Sequence, residues 1–168
     1  LVGVPGRMEL INAGQPFAVI VDYAHTPDAL EKLLETVREL PHRKIITVFG
    51  CGGDRDRAKR SIMGAVAARM SDFVVATNDN PRTEAPLAIL AEIRQGLQMG
   101  STPYMLIPDR REAISFALST ARRDDVVVLA GKGHEDYQII GDQAYPFDDR
   151  VTARELIHHL PNALGAQS

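Results

Sequence analysis

The sequence predicts an α/β domain, a mostly parallel sheet covered by helices on both faces. Three observations predict it. Short β-branched runs recur without the polar–apolar alternation of a half-exposed strand, as strands buried on both faces do. Between them lie segments with apolar residues at spacings of three and four, the core-facing stripe of a helix. The two kinds of segment alternate, which implies parallel strands joined by right-handed crossovers.

Taken in order, FAVIV (17–21) is the first strand. Pro27 after Thr26 marks a helix start, and Leu30, Leu33, Leu34, Val37 and Leu40 supply its inward stripe. KIITVFG (44–50) is a strand, and AKRSIMGAVAARM (58–70) a helix with Ile62, Ala65, Val66 and Met70 facing inward. DFVVAT (72–77) is the third strand, followed by a helix over 86–98 opened by Pro86. YMLI (104–107) is a weaker strand. Asp109 can cap the next helix, with Glu112 three residues on in a capping-box-like arrangement. DVVVLAG (125–131) is the last clear strand, 137–147 an extended hairpin and 149–160 a terminal helix. Residues 1–160 are expected to form one domain, and 161–168 a flexible tail.

Composition narrows the function. The 168 residues are 45% hydrophobic and 24% charged, enough for a proper core. A net charge of −3 argues against a nucleic-acid or anionic-membrane binder. No apolar run approaches the ~20 residues that span a bilayer. The single cysteine, Cys51, cannot form an internal disulfide, so a cytoplasmic location is expected. The chain opens without methionine or signal-peptide layout, as a piece of a longer protein would.

In parallel α/β sheets, ligands bind outside the carboxyl ends of the strands. The unusual residues obey that rule. Asp22 and His25 follow the first strand, Gly50 to Arg60 the second, Asn78 to Glu84 the third, and Gly131 to Glu135 the last. All four clusters fall on one edge of a Rossmann-like sheet, whereas random surface polarity would decorate both edges.

Each cluster has more than one reading. GCGGDRDRAKR (50–60) joins small residues to Arg55, Arg57, Lys59 and Arg60 at a helix start. Cations there oppose the helix dipole, so they imply a nearby anion or acidic face, or else a plain solvated turn. It is no dinucleotide fingerprint, since Arg55 holds the third glycine position, and no G-x-x-x-x-G-K-[ST] loop occurs anywhere. Asp22 and His25 fit either ribose and phosphate contacts or helix-capping chemistry. Lys132, Gly133, His134 and Glu135 read as a flexible turn bearing a carboxylate. No metal ligands are expected, because His25, His134 and Cys51 lack ligand-like local spacing. No nucleophile–base pair is legible, so no catalytic residue is assigned. TNDNPRTEAP (77–86) sets an acid, amides and a guanidinium in one turn, which suits a ligand carrying both charges.

Together, GRME (6–9), VDYAHTPDAL (21–30), FGCGGDRDRAKR (49–60), DNPRTE (79–84) and AGKGHE (130–135) resemble the C-terminal domain of the Mur ligase family. DNPR resembles the recognition motif of members that add meso-diaminopimelate. The resemblance implies an ATP-dependent amide ligase of peptidoglycan synthesis. In that family an acyl phosphate forms on the D-glutamate carboxylate of UDP-N-acetylmuramoyl-dipeptide, and the incoming amine displaces phosphate. Arg55, Asp79, Asn80, Pro81, Arg82, Gly131 and Glu135 would then surround diaminopimelate, with Arg7, Asp22 and His25 facing the nucleotide. ATP, Mg2+ and the UDP-sugar substrate would be held mainly by central and N-terminal domains outside this sequence. The isolated domain would be inactive. The competing expectations are a folate- or cyanophycin-type amide ligase domain and a stand-alone amino-acid-binding module.

Overall fold

The computed structural model describes residues 6–161. Its elements run β1 (Glu9–Leu10), β2 (Ala18–Asp22), α1 (Pro27–Glu39), β3 (Ile45–Cys51), α2 (Ala58–Met70), β4 (Phe73–Asn78) and α3 (Pro86–Leu97). Then follow β5 (Tyr104–Leu106), α4 (Arg110–Thr120), β6 (Val126–Ala130), β7 (Tyr137–Ile140), β8 (Gln143–Pro146) and α5 (Asp149–His158). The six-stranded sheet has the order β1-β2-β6-β3-β4-β5, and β7 and β8 form a separate hairpin. Every pairing in the large sheet is parallel except the edge strand β1, which runs antiparallel to β2. The expected tail beyond Pro161 lies outside the described residues.

Alternation within the strands explains the two covered faces. Ile20, Val126 and Val128 point toward α1, α2 and α3, and belong to one core with Leu30, Leu34, Val66 and Ile93. Val19, Val21, Val127 and Leu129 point the other way and pack with Ile114, Leu118, Ala153 and Ile157 of α4 and α5. Each valine, leucine or isoleucine here contributes roughly 1.5–3 kcal/mol when fully buried. The expected parallel, doubly covered sheet is therefore present.

Local chemistry sets most helix starts. The Thr26 hydroxyl accepts from the Ala29 N–H, with Pro27 in the first turn. Asp109 accepts from the Glu112 N–H and Asp148 from the Arg150 N–H. Two inward assignments do not hold. Helix α1 ends at Glu39, and Leu40 leaves in an extended conformation, 37% exposed. Ile62 is 51% exposed, while Val66 is buried as expected, along with Met63, Gly64, Ala67 and Ala68. The cause is the close approach of α2 to α3. A Cβ on Gly64 would lie 2.3 Å from the Ile93 carbonyl oxygen, so Gly64 must face α3. With about 100° between successive residues, that orientation turns Ile62 outward.

Candidate functional site

The loops after β2, β3, β4 and β6 enclose a cavity of about 320 Å³ at the carboxyl edge of the sheet. Arg55, Asp79, Asn80, Arg82, Gly131 and Glu135 line it, together with Tyr23, His25, Cys51 and Lys59. Pro81 does not. It is buried behind the loop, where its carbonyl oxygen accepts from the Glu84 N–H at 3.1 Å.

Backbone contact builds this wall. The Gly53 N–H donates to the Asn80 carbonyl at 2.8 Å. A Cβ on Gly53 would fall 1.8 Å from the Pro81 oxygen, so only glycine allows the two loops to touch. Arg82 sits in the left-handed region at φ 52°, a conformation that costs a non-glycine residue of order 1–3 kcal/mol. The hairpin holds it there: the Arg82 N–H donates to Ile139 O at 3.1 Å, and the Gly141 N–H donates to Arg82 O at 2.7 Å. Arg82 Nη1 donates to the Gly53 carbonyl at 3.0 Å. Among the described residues, its Nε and Nη2 make no hydrogen bond, which leaves one side of the guanidinium fork for a ligand carboxylate.

Lys132 forms the back of the site. It is fully buried, not part of a flexible turn. Its Nζ donates to Tyr137 O at 2.7 Å and to Asn80 Oδ1 at 3.1 Å. It lies 3.4 Å from Asp79 Oδ1 and 3.6 Å from Glu135 Oε1. Burial demands such partners, since an unpaired ammonium would be expelled or neutralised. Cys51 is buried at the end of β3, and burial pushes its thiol up to about 12, so it offers no nucleophile.

The basic turn meets an acidic face within the chain. Arg60 is fully buried and pairs with Glu84 at 2.6 Å and Glu92 at 3.2 Å, while Arg57 pairs with Glu92. Glu84 also accepts from the Asp54 N–H at 2.8 Å. The Arg60 hydrogen bond, helped by that backbone donor, holds the Glu84 carboxyl down at about 2. Lys59 donates to the His25 carbonyl at 3.0 Å. Arg55 makes no ion pair among the described residues and remains exposed at the cavity rim.

A second cavity of about 420 Å³ lies beside the first and is lined by Arg7, Asp22 and His25, with Lys32 and Thr36 and an apolar floor of Met8, Ala29 and Leu33. Asp22 is already engaged: Oδ1 accepts from the Met8 N–H at 2.7 Å and Oδ2 from the Ala24 N–H at 2.8 Å. It therefore fixes the Arg7 segment as well as facing the cavity. Tyr23 and His25 line both cavities.

Sequence reasoning missed Arg110 altogether. It is fully buried against Asp149, with bonds of 2.8 and 2.7 Å, and donates to Asn78 O and Ala130 O at the ends of β4 and β6. The pair lies 39 residues apart, so no local pattern announces it. Its only signal was an arginine in the first turn of a helix, where the dipole disfavours cations.

A doubly covered parallel sheet with a mixed-charge cavity at its carboxyl edge is the layout in which α/β domains hold small ligands. The model of the Mur ligase glutamate ligase domain matches residues 6–133, and the chain belongs to that family. A UDP-N-acetylmuramoyl-L-alanyl-D-glutamate–2,6-diaminopimelate ligase from Syntrophomonas wolfei is 59% identical over 92% of this chain and 32% of its own length. The ligase of the same name from Solibacter usitatus is 53% identical over 94% of the chain and 32% of its own. A solved structure of such a diaminopimelate ligase superposes with a TM-score of 0.88 at 46% identity, covering 95% of this chain and 32% of that one. A bifunctional folylpolyglutamate synthase/dihydrofolate synthase from Yersinia pestis shares the fold alone, with a TM-score of 0.57 at 22% identity over 77% of this chain and 28% of that one. The chain spans about a third of the length of the curated relatives it matches.

Proposed function

We propose that this domain binds meso-diaminopimelate as the C-terminal part of an ATP-dependent ligase. That enzyme would join the amino acid to UDP-N-acetylmuramoyl-L-alanyl-D-glutamate during peptidoglycan synthesis in the cytoplasm. The observation that carries the reading is the charge layout of the 320 Å³ cavity. Diaminopimelate bears two carboxylates and two ammoniums, so its site needs both signs in fixed places. The open side of the Arg82 fork suits the distal carboxylate, with Arg55 at the rim for the second. Asp79 and Glu135 suit an ammonium, and Asn80 and Gly131 complete the wall.

The neighbouring cavity gives the nucleotide a place to be touched. Its apolar floor of Met8, Ala29 and Leu33 fits an adenosine face, with Arg7 and His25 offering cationic or hydrogen-bonding contacts. Among the described residues no group of three or more histidine, cysteine or acidic side chains is placed to hold a metal ion. Mg2+, the ATP phosphates and the UDP-sugar would be held mainly by the rest of the longer ligase. No helix among the described residues is long and apolar enough to cross a membrane.

The test is calorimetric titration of the domain with meso-diaminopimelate and with lysine, alongside turnover by the full-length ligase that carries it. Tight diaminopimelate binding, weak lysine binding and ATP-dependent tripeptide formation are the expected results. Equal binding of both amino acids would favour a general amino-acid module, and a preference for glutamate a folate-type ligase.

A further inference from the structure

We propose that Lys132 is a positioning residue for amino-acid selection, setting both charged walls of the cavity from behind. The inference rests on the diaminopimelate reading and extends it to a side chain that does not line the cavity. Four contacts carry the argument. The ammonium reaches Asn80 Oδ1 at 3.1 Å and Asp79 Oδ1 at 3.4 Å on the loop after β4. It reaches Glu135 at 3.6 Å on the loop after β6 and the Tyr137 carbonyl, at the start of the hairpin, at 2.7 Å. The loop after β4, 52 residues away in sequence, and Lys132's own β6–β7 connection therefore converge on one buried atom.

The acidic wall needs that cation. Among the described residues Asp79 Oδ1 is buried without a hydrogen-bond partner, and Lys132 is its near counter-charge. Asp79 and Glu135 carry like charges and would repel one another across the cavity without it. With the ammonium between them, the three groups together present one net negative charge, which matches a single ligand ammonium.

The guanidinium wall depends on it less directly. Lys132 fixes the first residue of β7. That strand bonds Asn80 Oδ1 through the Ile139 N–H at 2.9 Å and the Arg82 backbone through Ile139 O at 3.1 Å. Gln138 Nε2 adds a bond to Asp79 O at 2.8 Å. Freed from Lys132, the hairpin would let Arg82 drift, and displacement of about 1 Å at a site can cost on the order of 10² in rate. Both walls then lose register together, which is a loss of discrimination as well as of affinity.

The experiment is steady-state kinetics of the full-length ligase, wild type against Lys132→Met and Lys132→Arg, with diaminopimelate, lysine and ATP each varied. Met keeps the stem without the charge. Arg keeps the charge, but its planar fork cannot address the same acceptors. The expected result is a fall in kcat/KM for diaminopimelate on the order of 10², carried mainly by KM. The diaminopimelate-to-lysine ratio should shrink, and the KM for ATP should stay put. If Lys132→Met does not fold, Lys132→Arg decides by the same measures. A lower kcat with unchanged amino-acid KM and unchanged ratio would mean that Lys132 only supports the fold, and would overturn the proposal. So would wild-type kinetics in either variant. Failure of the wild-type ligase to use diaminopimelate would instead sink the reading beneath it.

Discussion

At the scale of single residues, selectivity in the proposed ligase would rest on what a wrong ligand leaves unpaired. Lysine lacks the distal carboxylate of diaminopimelate, so it would leave the open side of the Arg82 guanidinium desolvated with nothing to bind. A site built to pair a polar group can reject an analogue lacking it by a factor on the order of 10⁴. Arg82→Ala in the full-length ligase is therefore expected to remove most of kcat/KM for diaminopimelate while shrinking the penalty on lysine. Kinetics with both amino acids check this, and an equal fall for both would end the selectivity claim. The place of Arg82 on the cavity wall was legible because DNPR is local and odd for a plain turn. Arg60 and Lys132 were not legible in their roles. Their acceptors lie 24 and 52 residues away, at Glu84 and Asn80, and only the fold brings them together. A glycine-flanked lysine reads as solvent-facing until the hairpin is seen to close over it.

At the scale of elements, the turn between β3 and α2 is held to the β4–α3 loop by charge as well as by backbone. Glu84 accepts from Arg60 and from the Asp54 N–H, and its carboxyl is lowered from the ordinary 4.5 to about 2. A depressed carboxyl contributes stability in full above its unfolded value and loses it as the folded value is approached. The Glu84 contribution should thus be complete above pH about 4.5 and fade toward pH about 2. Denaturant midpoints of wild type and Glu84→Gln, measured from pH 7 downward, are expected to differ at neutral pH and converge across that window. A gap that stays constant with pH would show that Glu84 acts by shape and not by charge. The element phases were less legible than their existence. Helix α2 is built from small and apolar residues on several sides, so its stripe gave no unique inward face. Contact with α3 through Gly64 chose the face.

At the scale of the whole molecule, the alternation of strands and helices made the parallel sheet and its functional edge readable, because that pattern leaves few topologies. It could not reveal how the two helical layers are coupled. Both rest on the same strands: β6 gives Val126 and Val128 to one core and Val127 and Leu129 to the other. Neither layer can leave without exposing the sheet. The domain should therefore unfold as one cooperative unit, although, lacking any phosphate-cradling loop, the 168-residue chain alone should form no tripeptide in an ATP-dependent assay. Arg110 is the sharpest probe of that coupling. From α4 it grips Asp149 of α5 and the carbonyls closing β4 and β6, so it joins a helical layer to the edge where ligands bind. Removing one partner of a buried ion pair typically costs about 3–5 kcal/mol, because the other charge is left uncompensated. Arg110→Ala is expected to lower stability by about that amount, with a single transition seen alike by far-ultraviolet circular dichroism and by tyrosine fluorescence. Arg110→Ala with Asp149→Ala together should recover part of the loss, since no charge is then stranded. Separate transitions by the two probes would mean that the layers fold independently. A loss well under 1 kcal/mol would mean that water reaches the pair, contrary to its complete burial.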